Sequence, residues 1–180
     1  RSMAREKEEI AVSRDMLLAK LTKAHIHIAH VSSEYSLKII EMGKKEGINI
    51  TCEATPHHFS FSDDEILKNA YDTNFKMSPP LREISDVKAV REALKSGLID
   101  VIATDHAPHH TDEKIVEFDK APFGIIGLQT LVPLTLKLVN EGVISLERMV
   151  ELTSTNAAKM LNLKDKGRLA EGMLADIAVI

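Results

Sequence analysis

Residues 98–110 read Leu-Ile-Asp-Val-Ile-Ala-Thr-Asp-His-Ala-Pro-His-His, an apolar run that changes abruptly into carboxylate, imidazole and proline. A run of this length and composition predicts a strand that ends near Thr104 and continues into a polar loop. In parallel α/β folds the functional groups gather at the carboxyl ends of the strands. We therefore expect Asp105 and His109 to lie at a functional rim.

Two earlier segments, 24–31 and 48–54, also read as strands that end in polar residues. Helical periodicity predicts helices over 3–22, 34–45, 86–96, 125–140 and 145–160. Ser62 is expected to open a further short helix. Two more short strands are predicted near Arg168 and Asp176. Strands alternating with helices predict an α/β fold with a parallel sheet. Three such units form part of an open sheet or of an eight-stranded barrel. A whole barrel needs about 250 residues, so this chain cannot close one alone.

The composition excludes several classes of protein. The 180 residues are 44% hydrophobic and 28% charged with a net charge of −4, which gives no reason to expect nucleic acid or a membrane surface as a partner. No apolar run in the sequence reaches transmembrane length, and we expect no signal peptide. The single cysteine, Cys52, fits a reducing cytoplasm. Because the chain begins with Arg1 and ends on the apolar run 177–180, we expect a fragment of a longer protein.

Histidines concentrate at the three predicted strand ends. Zinc prefers histidine nitrogen and carboxylate oxygen ligands, so His30 and Asp105 are candidate metal ligands, with His109 on the same rim. The histidines at or just beyond the strand ends are His30, His57, His58, His106, His109 and His110.

These residues also have structural interpretations. A lone histidine is more often a hydrogen-bonded structural residue, and Asp105 could cap a helix that follows its strand. Against the cap, Pro108 follows closely and no helical pattern begins before Gly124. We expect His106 to orient a ligand through its second nitrogen, and His110 to be solvated.

The pair His25 and His27 has the spacing of a common zinc motif, but it lies at the start of its strand. His27 is about 10 Å from His30 at the usual strand rise, and strand alternation places it on the opposite face. We therefore interpret both residues as structural. Glu53 is expected to orient His57 or His58, or to cap the following turn.

Several segments together resemble the bacterial dihydroorotases, a family of zinc-dependent cyclic amidohydrolases. The stretches Thr104–His109 and Ala121–Gly124 are the most specific, and the tail Gly167–Asp176 resembles the return of amidohydrolases to a small β-domain. The remaining segments are shared with hydantoinases, dihydropyrimidinases and allantoinases. These are His30–Ser32, Glu53–His58 and Lys76–Arg82.

The resemblance implies the C-terminal part of a (β/α)8 metal-dependent hydrolase barrel over residues 1–165, containing its sixth to eighth strands. Residues 166–180 would begin the return to the small β-domain. The resemblance also implies one or two zinc ions, with His30 and Asp105 as ligands and Asp105 as the catalytic proton shuttle. The substrate, dihydroorotate or carbamoyl aspartate, would be held by Ser78, His109 and the backbone of Phe123 and Gly124.

Two departures from the family pattern leave alternatives open. The family usually has asparagine at the position of Ser78, whereas hydantoinase-like enzymes often have serine, so a dihydropyrimidinase, hydantoinase or allantoinase is one alternative. The metal ligands of the first and fifth family strands are absent from this chain, so we expect the segment alone to bind zinc poorly and to be inactive. A non-catalytic partner of aspartate transcarbamoylase is the second alternative. The resemblance favours a cytoplasmic homodimer and allows association with that enzyme.

Overall fold

The computed structural model describes residues 4–180, with three short parallel strands and helices that follow them. The predicted first helix begins at Met3, which lies outside the described residues. The strands are β1 (Ile26–Ile28), β2 (Ile50–Ala54) and β3 (Val101–Ile102). The helices are α1 (Arg5–Thr22), α2 (Glu34–Lys45), α3 (Pro56–Ser60), α4 (Asp64–Lys68), α5 (Ile84–Ser96), α6 (Thr111–Lys114), α7 (Leu131–Asn140), α8 (Leu146–Val150) and α9 (Asn156–Met160), with a 3₁₀ turn at Thr73–Phe75 and a π-helical turn at Glu151–Thr155.

Local sequence signals set several helix boundaries. The Ser33 side chain accepts the N–H groups of Tyr35 and Ser36 and so caps α2. Thr55 caps α3 in the same way, and Pro56 occupies its first turn, where a missing N–H costs no hydrogen bond. Gly97 ends α5 with a φ of 86°, a left-handed conformation that glycine adopts without steric cost.

The strands pair in the order β1–β2–β3, and both pairs are parallel. Ile28 is opposite Cys52, and Ala54 is opposite Ile102. In β2 the buried residues alternate with partly exposed ones, so one face of the sheet is apolar and the other is polar.

The apolar face of the sheet packs against the helices. Cys52 and Ala54 belong to the same buried cluster as Ile40 of α2, Leu94 of α5 and Leu152 of the π-helical turn. Helix α1 packs on α2, and α2 packs on α5. This layer holds the strands in place, so that their carboxyl ends form a common rim.

Two predictions for the loop after β3 are wrong. The helix expected from residue 125 begins only at Leu131, because the His106 side chain accepts the N–H groups of Gly127 and Leu128 and keeps them in a turn. The loop expected to lack helix contains α6, which His110 caps by accepting the Asp112 N–H. His110 therefore has a capping role besides its exposure to solvent.

Other boundaries also differ from the sequence predictions. The strands expected near Arg168 and Asp176 are absent, and residues 161–180 form turns and loops. Asp63, not Ser62, precedes α4. The third strand begins later than predicted, at Val101, because the Asp100 carboxylate accepts the Cys52 N–H, a bond that backbone pairing would otherwise make. Among residues 4–180, no helix combines the length and apolarity required to cross a bilayer.

Candidate active site

His30 lies directly beyond β1, where the backbone turns sharply. Its φ is 39°, and its N–H is 3.4 Å from Oε1 of Glu53. Its Nδ1 is buried and has no hydrogen-bond partner among the described residues. Leaving a buried ring nitrogen unpaired is costly unless a ligand occupies it. This orphaned nitrogen fits the predicted role of His30 as a metal ligand.

His30 and Ser78 line one cavity of about 320 Å³, together with Glu8, His27 and Arg82. The structure therefore brings a predicted metal ligand and a predicted substrate residue together. His27 also lines this cavity, as do the two residues between it and His30, and the prediction that His27 and His30 lie on opposite faces stays a prediction.

His25 and His27 form hydrogen bonds with neighbouring β2 side chains, which supports their structural interpretation, although that interpretation stays a prediction. Both rings contact the Thr51 hydroxyl, at 3.0 and 2.9 Å. His27 Nε2 is also 3.1 Å from Oε2 of Glu53. Glu53 thus contacts His27 and the backbone of His30. It forms no hydrogen bond with His57 or His58, so the expectation that it orients one of them is wrong.

His109, Phe123 and Gly124 form a second group. His109 Nε2 donates to the Phe123 carbonyl at 3.0 Å, and His109 Nδ1 is 3.3 Å from Oε2 of Glu113. A Cβ atom at Gly124 would lie 2.4 Å from the Ala107 carbonyl oxygen, so only glycine fits this approach. Three of the residues predicted to bind substrate are therefore neighbours.

Asp105 is half-buried in the loop after β3, with a φ of 45°. His106, the next residue, holds this loop in place, because its Nδ1 accepts the Gly127 N–H at 3.0 Å. A Cβ atom at Gly127 would lie only 2.3 Å from the Thr104 carbonyl oxygen. The backbone on either side of Asp105 is thus held against residues 125–128.

The two groups are connected through the segment that precedes Ser78. Gly124 donates its N–H to the Lys76 carbonyl at 2.9 Å.

Strand β2 separates β1 from β3, and neighbouring strands are about 4.8 Å apart, so the strands that lead to His30 and Asp105 lie about 10 Å apart. Within residues 4–180 no group of three or more histidine, cysteine or acidic side chains could hold a metal ion.

His57 and His58 are buried beside this rim. His58 Nε2 donates to the Pro79 carbonyl at 3.0 Å, so its Nδ1 accepts from the Thr55 hydroxyl at 2.8 Å. Burial lowers the pKa of His58 to about 4. Burial, followed by the nearby His58 and His30, lowers the pKa of His57 to about 2. Both rings are therefore neutral at physiological pH.

A buried ionic network fixes the loop that follows His30. Glu8 of α1 accepts the N–H groups of Ser32 and Ser33 and also the Ser32 hydroxyl. Arg82 donates to the Ser32 hydroxyl at 3.0 Å and lies 3.4 Å from the Glu8 carboxylate. Burial raises the pKa of Glu8, but the Ser32 hydrogen bonds and the Arg82 charge outweigh it, so the pKa is lowered on balance.

The sequence gives no signal for the role of Glu8, which is one of several acidic residues on an amphipathic helix. The role of His58 had a signal, since Thr55 and Pro56 mark a helix start directly before it. The contacts of Glu53 and His106 depend on the distances between strands and loops, and residue spacing does not reveal them.

The chain belongs to the amidohydrolase family, whose model matches residues 10–180. Dihydroorotase from Geobacter metallireducens is 53% identical over 96% of this chain, and dihydroorotase from Pelobacter propionicus is 49% identical over all of it. The chain spans 40% and 42% of the length of these relatives. D-hydantoinase (dihydropyrimidinase) from Thermus sp. has a similar structure, with a TM-score of 0.89 and 28% identity over 96% of this chain and 39% of that one. The parallel sheet and its helices therefore have the architecture of amidohydrolases.

Proposed function

We propose that the protein to which this chain belongs is a dihydroorotase. It would reversibly hydrolyse the cyclic amide of (S)-dihydroorotate to N-carbamoyl-L-aspartate in pyrimidine biosynthesis. The observation that carries this proposal is the 53% and 49% identity to dihydroorotases over nearly the whole chain, against 28% to the D-hydantoinase. This difference favours dihydroorotate over hydantoins despite Ser78.

We propose that His30 and Asp105 supply two ligands of a site for one or two zinc ions. The orphaned, buried Nδ1 of His30 supports this assignment. Zinc, when bound, would lower the pKa of a water molecule and polarise the substrate carbonyl. The remaining ligands would come from outside this chain, so the segment alone would be inactive.

Asp105 would act as the general base and acid. Its carboxylate would take a proton from the attacking water and then deliver it to the leaving ring nitrogen. The reverse reaction would use the same proton path. The hydrogen bonds of His106 and the close approach of Gly127 support this role, since they hold the Asp105 loop in one conformation.

Substrate binding would involve both groups at the rim. Ser78 shares the cavity of His30, and His109 would pair with the substrate carboxylate beside the backbone of Phe123 and Gly124. We also propose, from the family resemblance and the lone Cys52, that the enzyme is a cytoplasmic homodimer, and that association with aspartate transcarbamoylase is open to it.

The test is a substrate panel with the full-length enzyme and its Asp105→Asn variant. We expect turnover of dihydroorotate but not of dihydrouracil, hydantoin or allantoin, and a loss of at least about 100-fold in kcat for Asp105→Asn. Asp64→Asn, on the exposed surface of α4, is the matched control. Retained activity in Asp105→Asn would contradict the assigned role, and preference for dihydrouracil would overturn the assigned substrate.

A further inference from the structure

Lys114, at the end of α6, places its ammonium group among three backbone carbonyls. Its Nζ lies 3.1 Å from the Thr73 oxygen, 2.9 Å from the Pro122 oxygen and 2.9 Å from the Gly124 oxygen. A lysine ammonium has three N–H donors, so these bonds use all of them. Two of the three carbonyls flank Phe123.

The position of Lys114 is itself fixed from two sides. The Thr73 hydroxyl donates to the Lys114 carbonyl at 2.6 Å, so residues 73 and 114 are bonded in both directions. Helix α6 begins with a capping box, in which the Glu113 carboxylate accepts the His110 N–H at 3.1 Å. A short helix held in this way can serve as a rigid frame for the residues that it contacts.

The same turn of α6 contacts the other group of the predicted substrate site. Glu113 Oε2 is 3.3 Å from Nδ1 of His109, and His109 Nε2 reaches the Phe123 carbonyl. Adjacent residues of one helix thus hold the His109 ring and the backbone around Phe123. The exposed neighbour Lys120, by contrast, pairs with Glu117 at the surface.

We propose that Lys114 is a positioning residue for substrate binding, because it clamps the carbonyls of Pro122 and Gly124 and so sets the backbone that meets the substrate. The inference rests on the proposed function and extends it to a residue that would not touch the substrate itself. A clamp of this kind acts equally on ground state and transition state, so its loss raises KM while kcat changes little.

The first test compares Lys114→Met with Lys120→Met in the full-length enzyme. Methionine keeps much of the apolar stem but removes the donors. We expect KM for dihydroorotate to rise about tenfold in Lys114→Met with kcat within about twofold, and no change in Lys120→Met. Faster exchange of the Gly124 amide hydrogen, which is bonded to Lys76, should accompany the rise.

The second test restores the ammonium chemically. Lys114→Cys, in a background without other exposed cysteines, is alkylated either with 2-bromoethylamine or with 1-iodopropane, which gives a chain of the same length without any N–H donor. Cys52 is buried and burial raises its pKa to about 12, so it should not react. The aminoethyl adduct should recover the KM and the slow Gly124 exchange, whereas the neutral adduct should not. Because both adducts are made on one folded protein, this comparison tests the positioning role of Lys114 even if Lys114→Met folds poorly.

An unchanged KM and unchanged Gly124 exchange in Lys114→Met would overturn the inference, as would equal recovery with both adducts. If the unmodified enzyme does not turn over dihydroorotate, the proposed function fails instead. The amide exchange of Gly124 then still decides whether Lys114 holds this backbone.

Discussion

Both predicted metal ligands have left-handed backbones, with φ of 39° at His30 and 45° at Asp105. Such a conformation costs a non-glycine residue about 1 kcal/mol or more and persists only where its surroundings enforce it. At His30 the enforcing contacts come from Glu53, and at Asp105 they come from His106 and Gly127. Strain at these two positions is consistent with side chains that are held for a function.

Cys52 is fully buried in the sheet, and burial raises the pKa of its thiol to about 12. At pH 8 the reactive thiolate is therefore a fraction of about one in ten thousand. We predict that the folded chain does not react with a chromogenic disulfide reagent, and that one thiol per chain reacts in guanidinium. Rapid reaction of one equivalent without denaturant would show that this part of the sheet opens readily.

At the scale of elements, α1 is joined to the end of β1 through Glu8. Both the Glu8 and Arg82 side chains are largely excluded from water, at 13% and 6% exposure. Removing one partner of a buried ion pair typically costs about 3 kcal/mol. We predict that Glu8→Gln lowers the free energy of unfolding by about this amount in urea denaturation. Glu6→Gln, on the exposed side of the same helix, should change it by less than about 0.5 kcal/mol.

The same network predicts a pH dependence. The folded pKa of Glu8 is lowered relative to the unfolded chain, so its contribution to stability is present above the unfolded value of about 4.3 and is lost as the pH falls through the folded value. Urea midpoints measured from pH 6 down to pH 3 should therefore decline more steeply in the unmodified chain than in Glu8→Gln. Parallel declines would contradict a lowered pKa at Glu8.

At the scale of the whole molecule, the proposed metal site would be incomplete in this chain. Catalytic zinc sites normally use three protein ligands, and residues 4–180 contain no cluster of three suitable side chains. We predict that calorimetric titration of the 180-residue chain with zinc shows no tight stoichiometric binding. Tight binding to this chain, lost in His30→Ala, would show that it assembles a complete site by itself.

Much of the architecture could be predicted from periodicity, since the positions of α1, α2, α5 and the three strands follow from apolar runs and caps. The element boundaries that depend on hydrogen bonds between side chains and the backbone could not be predicted from periodicity. Asp100 delays the start of β3, and His106 delays α7, because each replaces a backbone hydrogen bond with one to a side chain.

In the candidate site, His30, Asp105 and His109 could be proposed because they follow predicted strand ends, whereas Ser78, Phe123 and Gly124 came from the family resemblance. Ser78 and His30 share a cavity, and His109 contacts Phe123. The contacts of Glu8 with Ser32 and of Lys114 with Pro122 and Gly124 were not predictable, because an isolated acidic or basic residue has no distinctive pattern. The assigned roles of His30, Asp105 and the substrate residues stay predictions.

The π-helical turn at Glu151–Thr155 controls the rotational phase of the helix that follows it. It takes up more backbone per turn than an α-helix, in which each residue advances about 100° around the axis. With the present phase, Asn156 donates its side-chain amide to the Asp100 carbonyl at 2.9 Å, directly before β3. Deleting one residue from the wide turn would swing all later side chains about 100° around the axis. The length of this five-residue turn thus determines which side of α9 faces the sheet.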